Sequence, residues 1–376
     1  MGGAGDVRVA PLSAPVGAHC RRQSPQLIHL NHSFQLEGIP VEYRPLGRTG
    51  VRVSPLCLGT MMFGPWGNQD ESDSIRIIHA ALDAGINFVD TADVYSAGVS
   101  EEITGKALKG RRDDVVLATK FFMPMSEDLN TRGGSRRWIM KAVEDSLRRL
   151  GTDYIDLYQV HRPSPDTDVS ETLGALSDLV HQGKIRMIGS SSYSGSQIVE
   201  AQWTARERNL ERFVTEQPPY SLLVRGIEED VLPTAQRHGM GILTYSPLSG
   251  GWLSGKWGRN VAPTSGARPH LRFDMSLPGN KRKLEVVEAL QEVANEAGIS
   301  MIELAIAFVI RHPGVTSAIV GPRTMEQLES YLPALDVNLS DEVLDRIDTI
   351  VAPGVTINPD DNSYGANELL PANRRR

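Results

Sequence analysis

The chain has 376 residues, of which 40% are hydrophobic and 23% are charged, which is typical of a globular protein and excludes a chain that is disordered or collagen-like throughout. Its 39 lysines and arginines are outnumbered by 46 acidic residues, and the resulting formal charge of -7 disfavours a nucleic-acid binder. No apolar run reaches the roughly 18 residues that cross a bilayer, and two cysteines, Cys20 and Cys57, are too few for a disulfide framework, so we expect a soluble, cytoplasmic protein.

The first forty residues differ in composition from the rest of the chain. Residues 1–40 mix Gly, Pro, Ala, Ser and Arg without helical or alternating periodicity, which predicts a disordered extension. They also lack the uninterrupted apolar stretch of a secretory signal. Because VEYRPLGRTG from Val41 reads as the opening of a folded domain, a second interpretation is that translation begins at Val41 from an alternative start codon. Peptides from residues 1–40 in the native protein would exclude that interpretation.

Residues 41–351 alternate short β-rich runs with longer amphipathic stretches, which is typical of parallel strands joined by helical crossovers. Eight such units in about 300 residues predict a single α/β domain with the (β/α)8 TIM-barrel fold. A doubly wound open sheet is the alternative, but it would carry a Gly-x-Gly-x-x-Gly turn after the first strand, where this chain has MFGPWGNQDES. Residues 352–376 are interpreted as a loose C-terminal tail. The predicted strands cover residues 55–61, 87–92, 115–121, 155–161, 185–191, 213–218, 241–247 and 316–321.

Polar residues close three successive predicted strands. Asp90 and Asp93 end the second strand with Tyr95 just beyond, Lys120 nearly ends the third, and His161 ends the fourth. Catalytic groups of a barrel lie where strands end, so we expect these side chains on one arc of the rim. A buried ammonium, held by a carboxylate, is expected to lower the pKa of a tyrosine from about 10 and make a proton donor, while an imidazole aligns a carbonyl oxygen. Taken singly, Asp93 is equally well a turn former or helix cap, and His161 a rim histidine.

Six segments together resemble the aldo-keto reductase superfamily, in the bacterial branch related to potassium-channel β subunits. They are FVDTADVYSAGVSEEITGKAL, VVLATKF, IDLYQVHRP, TEQPPYS, LTYSPLSGGWLSGK and AIVGPRTMEQLES. The resemblance covers residues 41–351 and implies a barrel that binds NADPH and reduces aldehydes and ketones to alcohols. It implies that Tyr95 is the general acid, that Asp90 and Lys120 tune it, and that His161 orients the carbonyl.

The resemblance also implies a set of cofactor-binding residues. Gln217 would hold the carboxamide, Tyr245 would stack on the nicotinamide ring, and residues 246–250 would form the pyrophosphate loop. Arg323 and Gln327 would grip the adenosine phosphate, and an arginine there favours NADP over NAD because it can pair with a 2'-phosphate. The other implied cofactor positions are Gly59, Thr60, Met61, Ser191, Ser192, Ser246, Pro247, Leu248, Gly250, Lys256, Arg268 and Gly321.

Three positions depart from the family pattern. Ser192 stands where the family has Asn, which shortens or removes one carboxamide contact. Ser330 and Tyr331 stand where the family usually has Glu and Asn, which alters adenine recognition, although Tyr331 could stack on the base. These departures are expected to lower affinity for the cofactor without changing its class.

The segment GGWLSGK, residues 250–256, satisfies the first part of a Walker A pattern. Trp257 replaces the Ser or Thr that would hold magnesium, so a nucleoside triphosphatase is rejected. Lys256 and Arg268 are interpreted instead as folding over the phosphates of the dinucleotide, with a solvated basic loop as the alternative.

The substrate side of the site is predicted from residues beside the strand ends. Arg162, next in sequence to the histidine, is a candidate to recruit an anionic group, with a surface salt bridge as the alternative. Core packing explains Met61 and Phe121 nearly as well as a pocket does. The expected apolar wall consists of Met61, Phe63, Trp66, Phe121 and Phe122.

Two functions follow from these patterns. The first is an NADPH-dependent carbonyl reductase that acts on a small molecule, with no metal, nucleic-acid or membrane partner. The second is an NADP(H)-binding regulatory subunit that senses redox state with little turnover, as channel β subunits do. All four catalytic residues are present and residues 1–40 contain no evident partner-binding helix, so the sequence favours the reductase.

Overall fold

A short antiparallel hairpin begins the described part of the chain, which in the computed structural model comprises residues 42–256 and 273–362. Its strands are β1 (Arg44–Pro45) and β2 (Arg52–Val53). At Gly47, between them, φ is +58°, and a Cβ would lie 2.9 Å from the carbonyl oxygen of Gly239. Because Gly239 precedes a barrel strand, the hairpin packs against the end of the barrel where strands begin. That end is therefore covered, and the opposite end is free for a site.

Eight parallel strands form a closed barrel in the order β10-β3-β4-β5-β6-β7-β8-β9. Each lies within the range predicted for it, so the prediction of a (β/α)8 TIM barrel is confirmed. The strands are β3 (Leu56–Gly59), β4 (Phe88–Asp90), β5 (Val116–Phe121), β6 (Ile155–Val160), β7 (Ile185–Ser191), β8 (Thr215–Gln217), β9 (Gly241–Tyr245) and β10 (Ser317–Val320).

Helices surround the barrel, and several begin at residues suited to an N-cap. The side chain of Ser135 accepts a hydrogen bond from the backbone of Trp138, and Ser194 with Gln197 forms a capping box. The helices are α1 (Glu71–Asp83), α2 (Val99–Leu108), α3 (Arg136–Leu150), α4 (Val169–His181), α5 (Gly195–Arg208), α6 (Val231–His238), α7 (Pro278–Glu296), α8 (Met301–Arg311), α9 (Met325–Tyr331) and α10 (Asp341–Ile350). Within these ranges no single helix is long and apolar enough to cross a membrane, and α7 and α8 meet that test only as a pair bent by 92°.

The hydrophobic core has two layers because side chains alternate along each strand. On β5, Leu117 and Phe121 point outward to the helices, whereas Ala118 points into the barrel. Lys120 has the same parity as Ala118 and therefore faces the interior. The apolar interior layer comprises Leu46, Val53, Cys57, Phe88, Ala118, Leu157, Leu243 and Ile319.

The chain after α10 runs back over the loop that follows β8, and we call residues 351–362 the C-terminal strap. Val224 forms an antiparallel bridge with Thr356, and the amide of Arg225 donates to the carbonyl of Val355 at 3.1 Å. The Arg225 guanidinium donates to the carbonyl of Val351 at 2.6 Å. The prediction of a loose tail from residue 352 is therefore wrong for residues 352–362, because their backbone bonds and ion pairs hold them to the barrel. Residues 1–41, 257–272 and 363–376 lie outside the described residues.

Candidate active site

A buried ion pair lies inside the open end of the barrel. Asp90 ends β4 and Lys120 is the penultimate residue of β5, and both face the interior, where neighbouring strands bring them together. The Lys120 ammonium donates to the Asp90 carboxylate and, at 2.8 Å, to the carbonyl of Thr91. Lys120 has no exposed surface, and Asp90 is 2% exposed. A charge this deep persists only when it is paired and hydrogen-bonded, as it is here.

Two glutamines complete the hydrogen bonding of this carboxylate. Gln159 on β6 donates its amide to Asp90 Oδ2 at 3.1 Å, and Gln217 on β8 donates to the same oxygen at 2.9 Å. Sequence reasoning missed Gln159. Its signal was a polar residue within an apolar strand, two positions before His161 and so on the same face.

Tyr95 lies on a short turn that directly follows β4. Lys120 Nζ donates to Tyr95 Oη at 3.4 Å and lies 5.1 Å from the centroid of the tyrosine ring. The next two residues, Ser96 and Ala97, have φ values of +50° and +55°, which is rare for residues other than glycine. The amide of Trp66 donates to Ser96 Oγ at 3.2 Å and helps to hold this turn. Backbone strain of this kind is maintained where the surroundings fix a functional side chain.

Burial raises the pKa of Tyr95 above its usual value of 10, and the charge of Lys120 opposes this rise without overcoming it. The expectation of a lowered pKa is therefore wrong, because the sequence shows the cation but not the loss of water around the phenol. Burial also opposes the charge on Lys120, but the carboxylate of Asp90 and then Tyr95 outweigh it, so that the pKa of Lys120 is raised. At neutral pH the site holds a neutral phenol beside an ammonium.

His161 directly follows β6 and packs against the tyrosine. The ring centroids of Tyr95 and His161 lie 5.9 Å apart, and the rings meet nearly edge to face at 80°. Burial, followed by the charges of Lys120 and Arg162, lowers the pKa of His161 well below 6.5. The imidazole is therefore neutral at pH 7 and can donate one hydrogen bond. Its buried Nδ1 has no hydrogen-bond partner in the described part of the chain.

The predicted apolar wall is only partly present. Trp66 is 51% exposed, and its ring centroid lies 6.2 Å from that of Tyr95, so it stands beside the predicted proton donor. Phe122 is half-buried against the core. Phe63 and Phe121 have no exposed surface and belong to the core between barrel and helices, which corrects their assignment to the wall. For Phe121 the reason is strand parity, which turns its ring outward onto Tyr158 at 4.9 Å.

The predicted cofactor residues that the structure describes lie at or near the ends of β7, β8, β9, β10 and β3, which are consecutive in the barrel. The residues predicted to be catalytic lie at or after the ends of β4, β5 and β6, the other arc of the same rim. Arg268 lies outside the described residues, and Lys256 is exposed at the edge of the described range. The cofactor arc contains Gly59, Thr60, Met61, Ser191, Ser192, Gln217, Tyr245, Ser246, Pro247, Leu248, Gly250, Lys256, Gly321, Arg323 and Gln327.

The nicotinamide end of this arc has groups that fit a dinucleotide. The amide of Gln217 is committed to Asp90, whereas its carbonyl oxygen Oε1 accepts no bond from the described residues and can take a carboxamide N–H. Tyr245 is half-buried and its hydroxyl lies 3.3 Å from Ser192 Oγ. After Tyr245 the backbone turns through positive φ values at Ser246, Ser249 and Gly250, so that this loop has the kind of backbone that cradles phosphates.

The adenosine end fits less completely. The amide of Arg323 donates to Gln327 Oε1 at 2.7 Å, so Gln327 shapes the loop that carries the arginine. Ser330 Oγ donates to the carbonyl of Gln327 at 2.8 Å. Tyr331 is only 6% exposed and is part of the core, which corrects the expectation that it stacks on adenine.

Two further buried acids lie near the site: Glu216, which sequence reasoning missed, and Asp93, which it interpreted as a turn former or helix cap. Glu216 accepts hydrogen bonds from Ser190 Oγ at 2.5 Å and from the amide of Tyr193 at 3.0 Å, and burial raises its pKa to about 8. It thereby holds the loop that carries Ser192. Asp93 is 1% exposed, and burial and then the charge of Glu101 raise its pKa. Asp93 is not a helix cap, since α2 begins after Gly98.

The described residues contain no group of three or more His, Cys, Asp and Glu side chains that could hold a metal ion. The groups that the structure brings together at the rim are a phenol, an ammonium, an imidazole and a carboxylate. These groups can deliver a proton to an oxygen atom that gains negative charge.

Known proteins are similar to this chain over most of its length. The profile of the aldo/keto reductase family matches residues 55–352. The uncharacterized oxidoreductase YrpG of Bacillus subtilis (strain 168) is 41% identical over 321 residues, which cover 82% of this chain and 96% of YrpG. The aldo-keto reductase YhdN of the same organism is 39% identical over 316 residues, covering 83% and 94% of the two chains. A probable voltage-gated potassium channel subunit beta of Oryza sativa subsp. japonica is 37% identical over 321 residues, covering 83% and 97%.

Proposed function

The chain belongs to the aldo/keto reductase family, and we propose that it is an NADPH-dependent reductase that converts aldehydes and ketones to alcohols. One observation carries the proposal. Lys120 Nζ contacts both the Asp90 carboxylate and Tyr95 Oη at the open end of the barrel, and the His161 ring packs on Tyr95. Such a constellation supplies a proton to a carbonyl oxygen and has no comparable use in a purely structural barrel.

Each of the four side chains has a distinct role in this proposal. Tyr95 donates its phenolic proton to the carbonyl oxygen as that oxygen gains charge. Lys120 stabilises the phenolate that remains, and Asp90 keeps the ammonium charged and oriented inside the barrel. The neutral His161 donates a hydrogen bond to the carbonyl oxygen and fixes its direction.

NADPH, when bound, supplies the hydride that the carbonyl carbon accepts. Gln217 Oε1 would hold the carboxamide, the ring of Tyr245 would support the nicotinamide, and residues 246–250 would hold the pyrophosphate. Arg323 carries the preference for NADPH over NADH, because a guanidinium can pair with the 2'-phosphate. Positive φ values in the 246–250 turn and the unpaired Gln217 oxygen support this placement.

The test is turnover of a panel of aldehydes and ketones with NADPH and NADH side by side, in the wild type and in Tyr95→Phe. We expect alcohol formation and NADPH oxidation by the wild type, and at least about a hundredfold loss of kcat in Tyr95→Phe, because the variant keeps the ring and loses the proton donor. NADPH binding, measured by fluorescence titration, should be retained. Unchanged turnover in Tyr95→Phe would refute the assignment of Tyr95.

A second candidate function is supported by the rice relative, which is named as a probable channel subunit beta. In that case the chain would bind NADP(H) as a redox-sensing subunit with little turnover and would act on a protein partner. Binding of NADPH without turnover of any carbonyl on the panel, together with a protein recovered in pull-downs, would favour this candidate over the reductase.

The proposed reductase takes a small carbonyl compound and uses no nucleic-acid or membrane partner. Cys57, the free cysteine among the described residues, is buried in the barrel as a thiol. A free thiol at Cys57 is compatible with a reducing compartment, which supports a cytoplasmic location.

A further inference from the structure

Arg162 stands at the rim directly after His161, and two hydrogen bonds fix its guanidinium. Nη1 donates to Ser192 Oγ at 2.6 Å and to the carbonyl of His161 at 3.1 Å. Nε and Nη2 make no hydrogen bond within the described ranges. Arg162 is partly exposed, so these two groups can reach a ligand.

No carboxylate of the described residues balances the charge of Arg162. In residues 42–256 and 273–362, no Asp or Glu oxygen lies within the 4.0 Å of an ion pair with Arg162. The buried arginines elsewhere differ, since Arg149 pairs with Glu101, and Arg225 with Glu228. Glu216, whose pKa the Arg162 charge lowers, is bonded to Ser190 and still has a pKa of about 8, so it is largely protonated at neutral pH. The alternative of a surface salt bridge is therefore not found.

The guanidinium lies between the catalytic pair and the proposed nicotinamide platform. Its charge lowers the pKa of both Tyr95 and His161, which places it within electrostatic reach of the proton donor. On the other side, two hydrogen bonds connect the guanidinium to Tyr245. Arg162 donates to Ser192 Oγ, which in turn shares a hydrogen bond with the Tyr245 hydroxyl. An anion bound to the free edge of this guanidinium would therefore be next to the reacting carbonyl.

The phosphates of a dinucleotide do not account for this charge. Arg162 follows β6, whereas Arg323 follows β10, and these two strands are four steps apart in either direction around the barrel. The pyrophosphate loop after β9 is three steps from β6. The cationic group at β6 thus lies across the barrel mouth from the groups expected to hold phosphate.

We propose that Arg162 binds a carboxylate on the substrate, so that the enzyme prefers carbonyl compounds that carry a carboxylate over neutral ones of the same shape. This inference rests on the proposed reductase function and names its substrate class. A planar guanidinium with two free N–H groups on one edge matches the two oxygens of a carboxylate.

The experiment compares acid and amide aldehydes that have the same shape. The substrates are 3- and 4-carboxybenzaldehyde and the corresponding formylbenzamides, with NADPH, measured as kcat/KM at low ionic strength. We expect the wild type to prefer an acid over its amide by about tenfold or more. Arg162→Met should remove that preference by raising KM for the acid about 10- to 100-fold more than KM for the amide, so that the acid-to-amide ratio of kcat/KM falls to about one. Arg162→Lys should be intermediate, and the exposed Arg132→Met is the matched control.

Several results would overturn the inference. Equal kcat/KM for acids and amides in the wild type would exclude a carboxylate preference. Equal losses for acid and amide in Arg162→Met would show a structural role, and a weakened affinity for NADPH in a titration without aldehyde would show a cofactor contact. Turnover of the amides by the wild type tests the reductase function separately. If the amides are reduced but the acids are not preferred, only the role of Arg162 is wrong, whereas no turnover of either would also contradict the reductase function.

Discussion

At the scale of single residues, loss of water decides the protonation state of the groups at the barrel mouth. Tyr95 stays a phenol, His161 stays neutral, and Glu216 keeps its proton into the neutral range, each through burial as the largest cause. Lys120 keeps its charge despite its burial, because it is paired with Asp90. The proposed proton donor benefits from this bias, since the acid is present in its protonated form over a wide range of pH.

Glu216 gives a pH-dependent stability that can be measured. Its pKa is about 8 in the fold and about 4.3 in an unfolded chain, so between these values the folded state binds the extra proton and stability falls as pH rises. Glu216→Gln removes this titration. The change in the free energy of unfolding caused by the substitution should therefore be more stabilising at pH 9 than at pH 5, by about 2–5 kcal/mol. Urea unfolding at the two pH values measures the difference. The exposed Glu200→Gln is the control, and an equal effect of Glu216→Gln at both pH values would contradict the account.

The residues of the candidate site could be predicted where a polar side chain follows a buried strand of a barrel. Asp90, Tyr95, Lys120 and His161 could be predicted as a group from strand ends, and the structure brings them together. The direction of the Tyr95 pKa shift could not be predicted, because burial depends on the packing of the whole rim and leaves no mark on the local sequence.

At the scale of elements, strand periodicity explains both the correct and the incorrect predictions. All eight strands were found, because buried parallel strands are continuous apolar runs between turn residues. Because side chains alternate along a strand, Lys120 points into the barrel and Phe121 points outward. The phenylalanine beside this lysine therefore belongs to the core between barrel and helices. Side-chain direction needs the exact register of the strand, which composition alone does not give.

The C-terminal strap is an element that the sequence did not predict, since it has no regular periodicity. It is held by long-range contacts, among them an ion pair between Asp361 and Lys283 at 2.8 Å. Lys283 is buried and its ammonium lies 4.8 Å from the ring centroid of Trp252, in the chain that follows the proposed pyrophosphate loop. The strap therefore ties the end of the described chain to α7 beside this loop.

Removal of the strap's ion pair should destabilise the fold. Asp361→Asn leaves the buried ammonium of Lys283 without its anion, and we expect the free energy of unfolding to fall by about 1–3 kcal/mol, less than for a fully buried pair because Asp361 is 29% exposed. Denaturant unfolding at neutral pH measures the change. The neighbouring exposed Asp360→Asn should have no effect beyond about 0.5 kcal/mol, and equal losses in the two variants would show that the pair does not hold the strap.

At the scale of the whole molecule, the barrel divides its open rim into two arcs. Strands β4, β5 and β6 carry the residues proposed to donate the proton, and the remaining five strands carry the residues proposed to hold the cofactor. The hairpin at the other end of the barrel leaves this rim as the open face. A ligand seated on the larger arc therefore presents its reactive end to the smaller one.

The barrel and its division into arcs were predictable because chain order determines strand order in a (β/α)8 fold. The orientation of Tyr331 into the core was not, and neither was the unbalanced charge of Arg162, since both depend on which side chains from distant segments meet. Family resemblance predicts the catalytic positions, whereas the contact partners of each side chain can be read only from the folded structure.

The most direct measurement of the central claim follows the fate of the hydride. NADPH that carries deuterium in both positions at C4 of the nicotinamide is incubated with the enzyme and an aldehyde in ordinary water, and the alcohol is analysed by mass spectrometry and NMR. The account predicts one deuterium on the carbinol carbon and a solvent-derived proton on the oxygen, with the rate lost in Tyr95→Phe. Alcohol without deuterium on carbon, or no alcohol from any aldehyde that binds, would contradict it.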